Sequence, residues 1–127
     1  MDDLIAFLRA RLDEDEQTAR AVGFSRIETA EYLWGSQYLL LQRDEGESKV
    51  TAELDAPLSQ HIARHDPARV LAEVEAKRQI IKQHERYAAE RRRMMGGWDP
   101  QSDDSPILAA LATVYADHPD YRDEWRP

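Results

Sequence analysis

Residues 61–78, HIARHDPARVLAEVEAKR, decide the fold because they contain a helix boundary that the sequence marks twice. Asp66 is of a residue type that caps helix N-termini, and Pro67 has the backbone angle of a first helical position. A short helix over 57–65 is therefore predicted to end just before Asp66. A long helix is predicted to begin at Pro67, and since no proline or glycine follows before Gly96, it should run for about 29 residues.

The long helix carries an apolar seam with alternating steps of four and three residues, a spacing that keeps side chains on one helix face. Its character is apolar as far as Ile81 and then becomes charged, so residues 83–93 are expected to project beyond the core. The seam is longer than one small core needs, which favours a homodimer or a host protein partner. Its members are Val70, Val74, Lys77, Ile81, His84, Ala88, Arg91 and Met95.

The rest of the chain predicts an α+β fold that is predominantly α. An amphipathic helix is expected over 2–22 with Gly23 as its stop, followed by antiparallel strands near 27–34, 38–43 and 49–54 and a last helix that begins at Ser105. The hairpin should pack its Trp34, Tyr38 and Leu40 face on a helix. Residues 1–127 are interpreted as a single domain. The predicted core is Leu4, Leu8, Leu12, Trp34, Tyr38, Leu40, Val70, Leu71, Val74, Ile81, Leu108, Leu111 and Tyr115.

Composition excludes several classes of function. The chain has no cysteine, which removes disulfides, thiol catalysis and cysteine-based metal sites. A formal net charge of −8 opposes general nucleic-acid binding, because such binding depends on cations that neutralise phosphates. No apolar run approaches the roughly 20 residues of a membrane helix. The N-terminus lacks the basic start of a secretory signal, so a cytoplasmic protein without a membrane partner is expected.

His61 and His65 are the candidate metal ligands. Four residues apart on a helix, they project from one face, as zinc-binding histidine pairs do. A third ligand would have to come from Asp66, His84 or Glu73. In the alternative interpretation, one histidine packs against an aromatic ring and the other helps to end the short helix.

Other polar clusters give a weaker case for an enzyme. The segment Asp117-His118-Pro119-Asp120 combines two carboxylates and an imidazole, although a carboxylate that caps a turn and orders Tyr121 and Trp125 is the preferred interpretation. The basic run 91–93 either binds an acidic surface or simply suits a helix C-terminus. Nucleophile elbows, phosphate-binding glycine loops and dinucleotide fingerprints do not occur in the sequence, so catalysis is the minority interpretation and no cofactor is predicted.

Three segments, DDLIAFLRARLDEDE at the start, HIARHDPARVLAEVEAKR and YADHPDYRDEW near the end, resemble a family of small actinobacterial and actinophage proteins of unknown function. The resemblance covers the first fifteen residues, 59–84 and 115–125. It implies a related fold, and in many relatives a CxxC-like metal cluster after the position of His84. This chain has no cysteine there, so the resemblance does not carry that site over.

Three functional hypotheses follow. The first is a non-catalytic protein-interaction module that acts as a homodimer or binds a host protein. The second is a metal-binding or hydrolytic protein that uses His61 and His65. The third, which rests on the resemblance alone, is a phage inhibitor of a host defence or nucleic-acid enzyme.

Overall fold

The computed structural model describes residues 2–31, 37–46, 49–50, 53–97 and 105–127. Its elements follow one another as helix α1, a three-stranded antiparallel sheet, helices α2, α3 and α4, and short 3₁₀ turns. The predicted α+β, predominantly α fold is therefore confirmed. The bounds are α1 Asp2–Ala21, β1 Phe24–Glu31, β2 Gln37–Arg43, β3 Lys49–Val50, α2 Ala56–Arg64, α3 Pro67–Met94, α4 Pro106–Ala112, and 3₁₀ turns at Thr113–Tyr115 and Asp123–Trp125.

The helix boundaries follow local side-chain chemistry. Each of the helices α2, α3 and α4 begins with proline in its first turn, preceded by a polar residue whose side chain accepts a backbone N–H two or three positions into the helix. These caps are Asp55, Asp66 and Ser105, which accept from Leu58, Arg69 and Leu108 at 3.3, 2.9 and 3.3 Å.

Glycines end the two long helices. Gly23 follows α1 with φ 74°, in the left-handed region that glycine adopts without a steric penalty. After α3, Gly96 has φ 67° and Gly97 donates its N–H to the Arg92 carbonyl at 2.7 Å, the hydrogen bond of a Schellman motif. Both predicted stops are confirmed.

The chain divides into two compact units, Met1–Glu14 with Glu75–Pro127 as unit 1 and Asp15–Val74 as unit 2. The interpretation of residues 1–127 as one domain stays a prediction. Among the helices of the described ranges, none has both the length and the apolar character needed to cross a membrane.

Unit 1 contains most of the buried apolar side chains. Its α1 segment runs antiparallel to α3, because Arg9 pairs with Glu85 while Asp13 accepts a hydrogen bond from Arg78 at 2.7 Å. Between these flanking ion pairs lie the deepest side chains, with Ile81 only 1% exposed. The buried apolar residues of unit 1 are Leu4, Ile5, Phe7, Leu8, Leu12, Ile81, Ala88, Leu108 and Ala112.

Unit 2 holds the sheet, with strand order β1-β2-β3 and helix α2 packed on β1 and β2. The predicted inward face of the hairpin is wrong. Leu39 is the buried residue of β2, and Tyr38 and Leu40 on the opposite face are only half-buried. Three consecutive leucines at 39–41 erase the alternation that would have set the face, since a one-residue shift reverses it. Trp34, which was predicted to lie on the same face, is outside the described residues.

The second half of α3 does not project beyond the core, contrary to prediction. Ala88 is buried, and the Nδ1 atom of His84 lies 3.5 Å from the hydroxyl of Ser105. The α3 seam is therefore buried at Val74, Ile81 and Ala88, whereas its last member, Met95, is 43% exposed.

Candidate functional site

His61 and His65 lie beside each other at the end of α2, with ring centroids 4.4 Å apart and both residues exposed. The Nδ1 atom of His65 is 2.8 Å from the His61 carbonyl oxygen, so Nδ1–H donates to that carbonyl. His65 is also the C-cap residue of α2. His65 therefore helps to end α2, as half of the alternative predicts, whereas His61 has its ring against His65; metal binding by the pair stays a prediction.

A third ligand for the pair is not evident. Asp66, which was one candidate, accepts the N–H of Arg69 at 2.9 Å and that of Ile27 at 3.3 Å, and so joins the start of α3 to the edge of β1. Glu73 accepts a hydrogen bond from Arg69 at 3.0 Å. Over the described ranges, no group of three or more histidine, aspartate or glutamate side chains is arranged to hold a metal ion.

The segment around His118 forms a structural cluster in unit 1. The backbone N–H of Asp120 donates to His118 Nδ1 at 3.0 Å, so the imidazole, rather than either carboxylate, caps this turn. Arg11 lies 2.7 Å from the same Nδ1 atom and 3.0 Å from the Glu14 carboxylate. The Asp120 carboxylate also lies 3.8 Å from the Arg11 guanidinium, so this segment is joined to α1 within unit 1.

Phe7 is the centre of this cluster and was missing from the predicted core. The rings of Tyr121 and Trp125 lie 5.9 and 5.0 Å from the Phe7 ring, and the Arg11 guanidinium is 5.2 Å from its centroid. The predicted turn that folds Tyr121 and Trp125 back onto the protein is confirmed. We call these residues, with Tyr115 and His118, the Phe7 cluster.

The feature that the fold does not use is an exposed apolar stripe on α3. Its residues recur at steps of four and three, like the buried seam, but they point away from it because Ile80 and Ile81 differ by about 100° around the helix. Ile80 is 39% exposed, Tyr87 64% and Met94 88%. This α3 face consists of Ala76, Ile80, Gln83, Tyr87, Glu90 and Met94.

A groove borders the α3 face, and its other wall is the start of α4. Two adjoining depressions of about 310 and 270 Å³ share His84, Tyr87 and Ile107. Ile107 is 59% exposed although it stands next to Leu108, which is fully buried. Ser105 fixes this arrangement, because its hydroxyl caps α4 and lies against His84 on α3.

The electrostatics of this part of α3 differ from those of the whole chain. Residues 79–94 contain five basic and two acidic residues, against a net charge of −8 for the protein. Arg86 pairs with Glu90 at 3.4 Å, which offsets the one acidic group on the α3 face. Arg92 and Arg93 are exposed at the C-terminal end of the helix, where positive charge also interacts favourably with the negative end of the helix dipole.

A second hollow lies in unit 2. It has a volume of about 420 Å³ and is lined by parts of α1, β1 and α3, including Phe24, Ile27 and Val70. These three side chains are half-buried, and Val22 is the exposed large apolar residue at its rim. The α3/α4 groove differs in having three large apolar side chains, Ile80, Tyr87 and Ile107, that are each more than a third exposed, and exposed apolar groups that lie together mark interaction sites on protein surfaces.

The four-three pattern on α3 predicts a partner along the seam, but Val74, Ile81 and Ala88 of that seam are buried within the chain and a neighbouring stripe is exposed. The signal for the exposed face was present, since Ala76, Ile80, Gln83, Tyr87 and Met94 fit the same spacing one residue out of phase. Because Ile80 and Ile81 are adjacent and identical, the exposed stripe and the buried seam have the same four-three spacing and similar apolar character.

The chain belongs to a family of unknown function, DUF6221, whose model matches residues 1–127. The match extends across the hairpin region and residues 85–111, beyond the three segments that carry the resemblance. No curated protein and no solved structure matches the chain. Family membership confirms that the chain has relatives of unknown function and assigns no activity, so any function proposed for it rests on the surfaces described above.

Proposed function

We propose that this protein is a non-catalytic interaction module that docks a partner along the α3 face and the adjoining α3/α4 groove. The observation that carries the proposal is the exposure of Ile80, Tyr87 and Ile107 around one groove. Burying such side chains in a complex would remove apolar surface from water, at about 25 cal/mol per Å² of area buried. A helix in the groove is the geometry this shape fits.

A matched pair of variants tests this proposal. Ile107→Glu places a charge in the groove, whereas Val114→Glu places the same charge on another exposed apolar residue, 68% exposed and outside the groove. Affinity purification from cells that encode the protein, with light scattering on the purified variants, should show lost association for Ile107→Glu and retained association for Val114→Glu. Equal behaviour of the two variants, whether self-association or partner binding is measured, would contradict the proposal.

Metal binding by His61 and His65 is a second candidate function, supported by the side-by-side rings at 4.4 Å. Its test is zinc titration followed by metal analysis of the wild-type protein, His61→Ala and, as a control, His84→Ala. Retention of zinc by the wild type and by His84→Ala but not by His61→Ala would support a site. Equal zinc content in the three proteins would remove this candidate.

A further inference from the structure

We infer that the occupant of the α3 face is the α3 helix of a second copy of this chain, packed antiparallel. This inference rests on the proposed function and names the partner. The first observation is the spacing of the α3 face. Its positions follow four-three steps from Ala76 to Met94, a length of about 27 Å, which is the pattern of a helix that packs along another helix.

The second observation is a pair of exposed opposite charges near the two ends of the α3 face, which meet only when one copy is reversed. The first part of the α3 face is flanked by Glu75 and its end by Arg93, and both residues are exposed. A two-fold axis near Gln83 and His84 brings Glu75 of one copy beside Arg93 of the other, and the symmetry makes this pair occur twice. A parallel arrangement would instead set the basic run 91–93 against itself.

The same reversal brings apolar groups together. About the same axis, Ile80 of one copy lies near Tyr87 of the other, and Ala76, a small residue, lies near Glu90. Antiparallel helices also place the negative end of each helix dipole beside the positive end of the other, which is favourable. Glu90 is the one acidic residue on the face, and its carboxylate is held by Arg86 at 3.4 Å.

The natural chain has no cysteine, so single engineered cysteines report directly on this arrangement. Gln83→Cys lies on the α3 face near the proposed axis, and Lys82→Cys, its exposed neighbour, lies off the face. Upon mild oxidation, Gln83→Cys should give a disulfide-linked dimer, whereas Lys82→Cys should form the same dimer without a disulfide link. Met94→Cys alone should not cross-link, because the two Met94 positions are about 30 Å apart in the antiparallel arrangement. A mixture of Ala76→Cys and Glu90→Cys should cross-link, because these two positions face each other across the axis.

A charge exchange provides an independent readout in the otherwise natural chain. Glu75→Arg and Arg93→Glu should each weaken the dimer by roughly threefold to tenfold in Kd, as measured by light scattering, and the double variant should recover most of the loss. Self-linking of Met94→Cys would overturn the antiparallel arrangement. A wild-type protein that stays monomeric would overturn the second copy as partner, while a partner lost only by Ile107→Glu would leave the proposed function standing.

Discussion

Ile80 and Ile81 are consecutive residues of the same type with opposite surroundings. Ile81 is 1% exposed and lies in the core of unit 1, whereas Ile80 borders the groove. The four-three spacing on α3 places Ile81 in the predicted core, and its burial confirms that choice. The spacing does not predict what borders the neighbouring stripe, so the position of Ile80 beside a groove becomes visible only once α3 and α4 are packed.

These two isoleucines give a matched prediction. Ile81→Ala should lower the free energy of unfolding by about 2–5 kcal/mol, since it removes buried methyl groups and leaves a cavity. Ile80→Ala should change it by less than about 0.5 kcal/mol, as exposed substitutions do. Urea unfolding followed by circular dichroism measures both. Similar losses for the two variants would show that the seam and the exposed face have been assigned incorrectly.

Arg11 is a buried cation that holds the Phe7 cluster together. Its guanidinium contacts the Phe7 ring, the His118 imidazole and the Glu14 carboxylate, so Arg11→Ala removes packing and charge-assisted hydrogen bonds together. We expect a loss of about 1–3 kcal/mol in unfolding free energy and a weakened near-ultraviolet signal from Trp125. Arg9→Ala, whose side chain is 55% exposed in its pair with Glu85, should cost at most about 1 kcal/mol. A loss for Arg11→Ala no larger than that for Arg9→Ala would contradict this role.

At the scale of elements, the sequence predicts what local chemistry controls. The Asp-Pro and Ser-Pro pairs predicted the starts of α3 and α4, and Gly23 predicted the end of α1, because caps and left-handed glycines act within a few residues. The face of β2 and the burial of Ala88 depend on contacts distant in sequence, and these predictions were wrong.

Substitution of Asp66 tests whether a single side chain couples α3 to β1. Asp66→Ala removes the acceptor for both the Arg69 N–H of α3 and the Ile27 N–H of β1, so it should cost about 1–2 kcal/mol in unfolding free energy and speed amide exchange at Ile27. Asp55→Ala removes the corresponding cap of α2 and should leave the exchange of Ile27 unchanged. Unaltered exchange at Ile27 in Asp66→Ala would show that the carboxylate does not serve β1.

At the scale of the molecule, one set of side chains stabilises the fold and another set forms an exposed surface. The sequence suggests His118 for catalysis and the α3 seam for dimerisation. In the structure, His118 belongs to the Phe7 cluster, and Val74, Ile81 and Ala88 of the seam are buried. The α3 face and Ile107 are the large apolar groups that unit 1 leaves exposed around one groove. An interaction module needs such a surface more than it needs reactive groups.

The measurement that tests this account most directly is site-specific photo-cross-linking in cells that encode the protein. A photoreactive phenylalanine derivative replaces Tyr87 on the α3 face or, as the control, Val114, which is equally exposed and lies outside the groove. The account predicts a defined covalent adduct from position 87, with a second copy as the captured chain, and none from position 114. Absence of an adduct from position 87, or the same adducts from both positions, would contradict it.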